Sequence, residues 1–175
     1  MYETGEELLR LQRLLDASAG MAGEHARSIF KPEHRLSALQ VVTHFVGVRQ
    51  LAAATVTSSG EPRVAPVDFI FFHGMFHIST DMRSFRARHL QRRPSLSVSY
   101  FREADPMIVA HGVASFIRRG DRDFNALDSE WWKRYGRSVT DLSQSVAFVR
   151  LEPRTMLAYA FHPGLFPEGA RPQDT

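Results

Sequence analysis

Two short turn signals do most to limit what this chain can fold into. The run LAAATVT from Leu51 is small and β-compatible, and Ser58, Ser59, Gly60 and Glu61 close it as a turn. PRVAPVDFIFF follows, then His73-Gly74 as a second turn, then MFHIS. Strands joined by loops this short pair antiparallel, because parallel pairing needs a long crossover. Pro62 and Pro66 fall inside the second run. Proline has no N–H for a ladder, so that strand belongs at an edge or a bulge.

The next stretch, Ile78 to Tyr100, reads as a strand end, a polar turn, a basic helix, a proline stop and a new strand. Thr80, Asp81 and Ser84 can each cap the helix, whose first N–H groups are then free to receive an anion. Arg83, Arg86 and Arg88 lie within the next turn or so, and the spacing predicts that hydroxyls, N–H groups and guanidiniums converge on one phosphate. Pro94 ends the helix, and Leu96, Val98 and Tyr100 alternate with serines as a strand over 95–102.

Beyond a turn at Glu103 to Pro106, a long strand is predicted from Met107 to Ile117. Gly112 within it marks a bulge, or a place where a flat ligand or another backbone comes close. Asp121 or Asp123 caps a helix running to about Tyr135, with Trp131, Trp132 and Tyr135 at its end. These aromatics suit docking on a barrel or at a dimer seam better than a lid over a ligand. After the polar stretch RSVTDLSQ, two more short strands are expected in VAFVRLEP and RTMLAYAF. At the other end, Leu8, Leu11, Leu14 and Leu15 recur at a helical period behind Thr4 as N-cap, MAGEH is a joint, and Pro32 opens a helix carrying Leu36, Leu39 and Phe45. The expected organisation is a helical segment, 1–47, packed on the barrel or on a second subunit. A barrel domain, 48–162, and an irregular tail, 163–175, follow it. Local hairpins with one inserted helix imply a small, mainly β fold of six or seven antiparallel strands with flanking helices.

At 175 residues the chain is long enough for one cored domain. Its 22 Lys plus Arg against 19 Asp plus Glu give a net charge of only +3, and the basic residues form no wide stripe, so no nucleic-acid partner is expected. Cysteine is absent, which excludes disulfides and thiolate metal sites. Glu3, Glu6 and Glu7 open the chain with no apolar stretch behind them, and no run approaches the roughly 20 apolar residues of a membrane span. A cytoplasmic protein without a membrane partner is the expectation.

Together these stretches resemble the pyridoxamine 5'-phosphate oxidase-like split β-barrels, a family binding FMN or deazaflavin. The resemblance covers roughly Ala52 to Ala160. ATVTSSGEPRVAPVDF is similar to the family's opening hairpin. Thr80, Ser84, Phe85, Arg86, Leu90, Arg93 and Pro94 fall without gaps on its phosphate-helix pattern, and MIVAHGVASFI and VAFVRLEPRTMLAYA resemble its later strands. The resemblance implies that Arg63 and Arg86 hold a cofactor phosphate with Thr80 and Ser84 as hydroxyl donors. Backbone from Val64 through Ala65 and Pro66 to Val67 would face the ring, with Ser79 beside it. It further implies FMN or coenzyme F-420 as cofactor, hydride transfer at N5 to or from a small organic substrate, and a homodimer with cofactor at the subunit seam. The chain departs from the oxidase proper. Phe85 and Asp68 stand where basic residues are usual, Met107 replaces a Gln, and the substrate-gripping C-terminal motif has no match, which argues against vitamin B6 oxidase activity. No side chain is assigned as acid or base, and no metal site is expected.

Rival readings rest on less. His73 and His77 are four apart, but Gly74 makes that spacing a hairpin, not the helix that a zinc pair prefers. His111, mid-strand, is the better single candidate for haem, since some split barrels resemble haem-binding enzymes, and it ranks behind the flavin reading. A non-catalytic flavin-binding or storage protein is the other alternative.

Overall fold

A computed structural model describes residues 2–102, 105–166 and 168. Six antiparallel strands close into a barrel: β1 (Val48–Val56), β2 (Pro62–Phe72), β3 (Met75–Asp81), β4 (Ser95–Phe101), β5 (Met107–Ile117) and β6 (Val146–Tyr159), in the order β1-β2-β3-β6-β5-β4. Helices α1 (Gly5–Met21), α2 (Glu24–Ile29) and α3 (Ala38–His44) precede the barrel, α4 (Phe85–Arg92) joins β3 to β4, and α5 (Phe124–Tyr135) joins β5 to β6.

The ladder registers show where the barrel splits. β2 pairs with β1 from Pro62 to Ile70, but with β3 only from Phe69 to Phe72. The half of β2 from Pro62 to Asp68 therefore has a single partner strand. The His73-Gly74 hairpin fixes which groups face the open side. Both residues have positive φ, 53° and 73°, as a two-residue turn of this twist requires. Such a turn is flanked by a hydrogen-bonded pair, so even-numbered residues of β2 direct their backbone groups towards β3 and odd ones towards β1. Pro62 and Pro66 are even, and their missing N–H groups fall on the open edge.

Burial explains the rest of the closure. Phe45, Phe69, Phe71, Phe76 and Tyr100 pack ring to ring inside, with centroids 4.8–5.9 Å apart. Ile70 and Phe72 point the other way and join Ile117, Phe124, Leu127, Trp131, Val139 and Phe148 in a second cluster beneath α5. Trp131 is thus docked on the barrel, while Trp132 stays exposed. Leu11 and Leu15 of α1 enter the main core, and Ser18 Oγ accepts a hydrogen bond from Met156 N at 2.9 Å, so the leading helix packs on the barrel itself.

Two expectations are corrected. VAFVRLEP and RTMLAYAF form one strand, not two. Pro153 lies past Leu151, where β3 stops, so its missing N–H costs no bond on that side. On the other side it faces Gly112, at a register shift after His111. A Cβ at Gly112 would overlap the Glu152 carbonyl, so the glycine serves the approach of another backbone. The single helix expected from Pro32 is also divided. A short 3-10 turn, Pro32–His34, gives way to an extended stretch tied to β6, with Leu36 N donating to Ala158 O at 3.0 Å. α3 then starts afresh from a capping box of Ser37 and Gln40. The polar stretch RSVTDLSQ holds a 3-10 turn, Val139–Asp141, that buries Val139. Two residues of the turn expected at 103–106 and the tail at 167 and 169–175 lie outside the described residues.

Candidate functional site at the open edge of the barrel

The polar turn after β3 organises the site. Ser84 caps α4, accepting from Ala87 N at 3.1 Å, and shares a 3.0 Å hydrogen bond with the Thr80 hydroxyl. Arg86 Nε donates to Thr80 Oγ1 at 3.3 Å, so Thr80, Ser84 and Arg86 form one connected group. As the first residues of the helix, Phe85 and Arg86 have N–H groups without an intrahelical acceptor. Arg86 is half-buried, and among the described residues no carboxylate lies in ion-pair range of it. Loss of water lowers the proton affinity of its guanidinium. A half-buried cation without a counter-ion, beside two hydroxyls and free amides, is chemically suited to an anion.

Arg86 opens onto a groove of about 520 Å³ between α4 and the inner side of β1 and β2. Its lining is Ala53, Thr55 and Thr57 from β1 and its turn, Arg63, Val64 and Ala65 from β2, and Phe85, Arg86 and His89 from α4. The first half of β2, with its open edge, forms one wall. The volume falls within the range of small-molecule and cofactor sites, roughly 300–1,000 Å³. Residues and shape together fit a flat, partly apolar group carrying a phosphate.

The structure sorts the predicted residues. Arg63, Val64, Ala65 and Arg86 meet at the groove, with Thr80 and Ser84 behind Arg86. Arg63 is exposed and paired with Glu61 at 2.8 Å. Pro66 and Val67 continue the same strand, Val67 with its side chain in the core. Ser79 precedes Thr80 on β3, so its side chain points to the opposite face from the Thr80 hydroxyl.

The expected convergence of three arginines on one anion does not occur. Arg83 turns back onto Asp81 through Nε at 3.1 Å and a terminal nitrogen at 2.9 Å, and reaches Ser143 at 3.3 Å. That pairing, led by the Arg83 contact, holds the Asp81 carboxyl far below the usual range. Arg88 sits over the exposed Phe85 ring, 4.5 Å from its centroid.

Sequence reasoning missed Thr55 and His89, joined through Oγ1 and Nδ1 at 3.1 Å. His89 follows Arg86 by three positions, the helical spacing of one face, which was the available signal. The other histidines do not form a site. His73 pairs with Glu7 at 2.9 Å, and burial pushes the His77 imidazole down to about 3. His111 is exposed and bonded to Ser97 at 2.8 Å. Among the described residues no group of three or more His, Cys, Asp or Glu could hold a metal ion.

The family model described as pyridoxamine 5'-phosphate oxidase matches residues 43–161, which take in all six strands, α4 and α5. The chain belongs to this family. Solved structures with the same fold include the conserved hypothetical protein Rv2991 from Mycobacterium tuberculosis, 17% identical, with 86% of this chain and 92% of that chain covered and a TM-score of 0.60. HutZ, the heme storage protein from Vibrio cholerae, is 19% identical, covering 79% and 96% with a TM-score of 0.55. An F420 reductase is 13% identical, covering 66% and 91% with a TM-score of 0.51. No curated protein matches the chain in sequence. At these identities the structural likeness speaks for the fold alone.

The family framework also shows what the departures do here. Asp68 takes hydrogen bonds from the Tyr135 hydroxyl at 2.9 Å and from Gln50 at 3.2 Å, tying α5 to β1 and β2. Met107 Sδ accepts from the Tyr159 hydroxyl at 3.3 Å. Phe85, 75% exposed at the groove mouth, offers an apolar surface where the oxidase has a charge.

Proposed function

We propose that this chain is an oxidoreductase that uses FMN or coenzyme F-420, held with its phosphate at Arg86 and its ring in the groove along β2. The observation that carries the reading is Arg86: a half-buried guanidinium with no carboxylate in range among the described residues, bonded to Thr80 and facing a groove with one largely apolar wall. Thr80 and Ser84 would add hydroxyl donors, and Arg63 would swing from Glu61 to the same phosphate. The Val64 N–H and the carbonyls of Val64 and Pro66, on the open edge, would take in-plane hydrogen bonds from a flat ring. Ala53, Ala65 and Val64 would keep that wall dry. When bound, such a cofactor supplies hydride transfer at N5, and the chain supplies position and electrostatics.

The site is also proposed to be completed by a second copy of the chain. Across the barrel's outer surface run Val64, Ala54, Ser97 and His111 in one register row and Pro66, Ala52, Ser99 and Val109 in the next. Nearly all are small or apolar, and Val64 is 68% exposed beside the groove. A flat face of this kind, continuous with the cofactor edge, suits burial against its own copy.

The deciding experiment is a fluorescence titration of cofactor-free protein with FMN and with coenzyme F-420. Saturable binding of one, followed by faster reoxidation of the reduced cofactor with an organic acceptor than with oxygen alone, is the expected result. Binding without acceptor turnover would make the protein a carrier. Binding of neither, with a Soret band on adding haem that His111→Ala removes, would overturn the flavin reading.

A further inference from the structure

His89 and Thr55 form a pair in the groove that neither the family pattern nor the Thr80, Ser84 and Arg86 group at the start of α4 assigns a role. Thr55 is 3% exposed, and His89 Nδ1 at 3.1 Å is its hydrogen-bond partner. A buried hydroxyl left alone would be costly, so the pair fixes the imidazole orientation. His89 Nε2 makes no hydrogen bond among the described residues. It belongs to the groove lining and follows Arg86 by one helical turn on the same face. Residues so spaced have Cβ atoms roughly 5–6 Å apart, within which both side chains reach one phosphate.

The hydroxyl partner matters because it works both ways. A threonine O–H can donate to Nδ1 or accept from it. With neutral imidazole, Thr55 can donate to Nδ1, which places the proton on Nε2. With imidazolium, Thr55 accepts and Nε2 again carries a proton. A carboxylate in place of Thr55 would hold the neutral ring's proton on Nδ1, whereas this partner lets Nε2 be a donor in either state. A donor held in that way is suited to an oxygen that is always an acceptor, such as a phosphate oxygen.

We propose that His89, oriented by Thr55, is a second donor to the phosphate received by Arg86, and so a residue by which the groove selects phosphorylated flavin over unphosphorylated flavin. This inference rests on the proposed phosphate site. Where the oxidase proper has two adjacent basic residues, the neighbour of Arg86 is the exposed Phe85. Here the second contact would come from one turn further along the helix.

The test compares the Kd values of FMN and riboflavin, read by flavin fluorescence, for the wild-type chain and for His89→Ala, His89→Gln and Thr55→Val. Expected is a preference of the wild type for FMN that falls about tenfold or more in His89→Ala, the scale of a hydrogen bond to a charged group. His89→Gln, which keeps an N–H at similar reach, should recover part of it, and Thr55→Val should lose a smaller part. Riboflavin affinity should stay within about twofold, and that separates a phosphate contact from a packing role. Equal loss for both flavins in His89→Ala, or no loss for either, overturns the assignment. Wild-type protein that binds FMN no better than riboflavin overturns the phosphate site itself, before any variant is made.

Discussion

Replacing Arg86 with methionine should separate binding from stability in opposite directions. The substitution keeps an unbranched apolar stem of similar reach and removes the charge. In the cofactor-free protein Arg86 gains one long hydrogen bond, 3.3 Å to Thr80, and is half desolvated with no carboxylate opposite among the described residues. At 3.3 Å that bond is long for a charged donor and contributes about 0.5–1.5 kcal/mol, and replacing the half-desolvated cation with an apolar side chain returns a comparable desolvation cost. The two offset, so the melting temperature of the cofactor-free variant should stay within about 4 °C of the parent or rise, given about 2–4 °C per kcal/mol for a chain of this size. With phosphate bound the account changes, because a charged hydrogen bond contributes about 1.5–3 kcal/mol. FMN should therefore bind about 10- to 150-fold more weakly. Differential scanning fluorimetry with and without FMN, alongside a fluorescence titration, reads both quantities on one sample. A cofactor-free variant melting more than about 10 °C lower, with FMN affinity intact, would make Arg86 a structural residue and refute the site.

The remaining expectations concern the scaffold and the assembly. Gly112→Ala should destabilise by at least about 1–3 kcal/mol in urea melts, because its Cβ would meet the Glu152 carbonyl and the Pro153 Cα at the bulge; a neutral result would mean that the two strands are further apart than described. Acid should destabilise the fold through one buried and one half-buried histidine. Burial first, then nearby cations, pushes His44 down to about 4, and burial pushes His77 down to about 3, from 6.5. The unfolded chain then takes up protons that the folded chain refuses, so stability is unaffected above about 6.5 and is lost as pH falls from there. The loss is up to about 1.4 kcal/mol per pH unit for each histidine. Replacing both with phenylalanine should flatten that slope, and an unchanged slope would locate the acid response elsewhere. Val64→Asp should convert a dimer into a monomer by sedimentation velocity at micromolar concentration, since it puts a charge into the proposed shared face. A monomeric wild type would remove that face from the site.

Much of the barrel was legible because its signals are local. Pro62 and Pro66 carry their edge position in their own chemistry, and the His73-Gly74 pair carries its turn. Met107–Ile117 is a strand at the predicted ends. What failed to show depended on partners far along the chain. Pro153 reads as a strand break until Gly112, across β5, is seen to make room for it. Residues 34–36 read as helix until Ala158 takes the Leu36 N–H and His34 O takes the Ala160 N–H. The site followed the same division. Thr80, Ser84 and Arg86 lie within seven residues of chain, and their spacing was enough to bring them together. Arg83 looked equivalent to Arg86 on spacing alone, but Asp81, two residues back, takes it with help from Ser143 far along the chain, so here part of the missed signal was local.

That division bears on why the open edge and the proposed phosphate site sit together. β3 parts from β2 after Ile78 while staying paired with β6 to Asp81, and the same departure carries Thr80 and Ser84 to the mouth of the gap. The chain then needs α4 to return to β4 and close the barrel against β1. α4 starts where the two strands diverge, and its first residues, Phe85 and Arg86, line the groove beside the opening. Backbone acceptors on β2, donors on α4 and an arginine at the hinge thus follow from one topological event. A chain that paired β2 and β3 along their full length would bury more backbone and have no place for a ring. Extending that pairing, by replacing Pro66 with valine and so restoring an N–H, should therefore favour edge-to-edge association of cofactor-free protein, and FMN, by covering the edge, should suppress it. Light scattering of the Pro66→Val chain with and without FMN checks this. Association that FMN leaves unchanged would mean that the open edge of β2 is not where the cofactor lies.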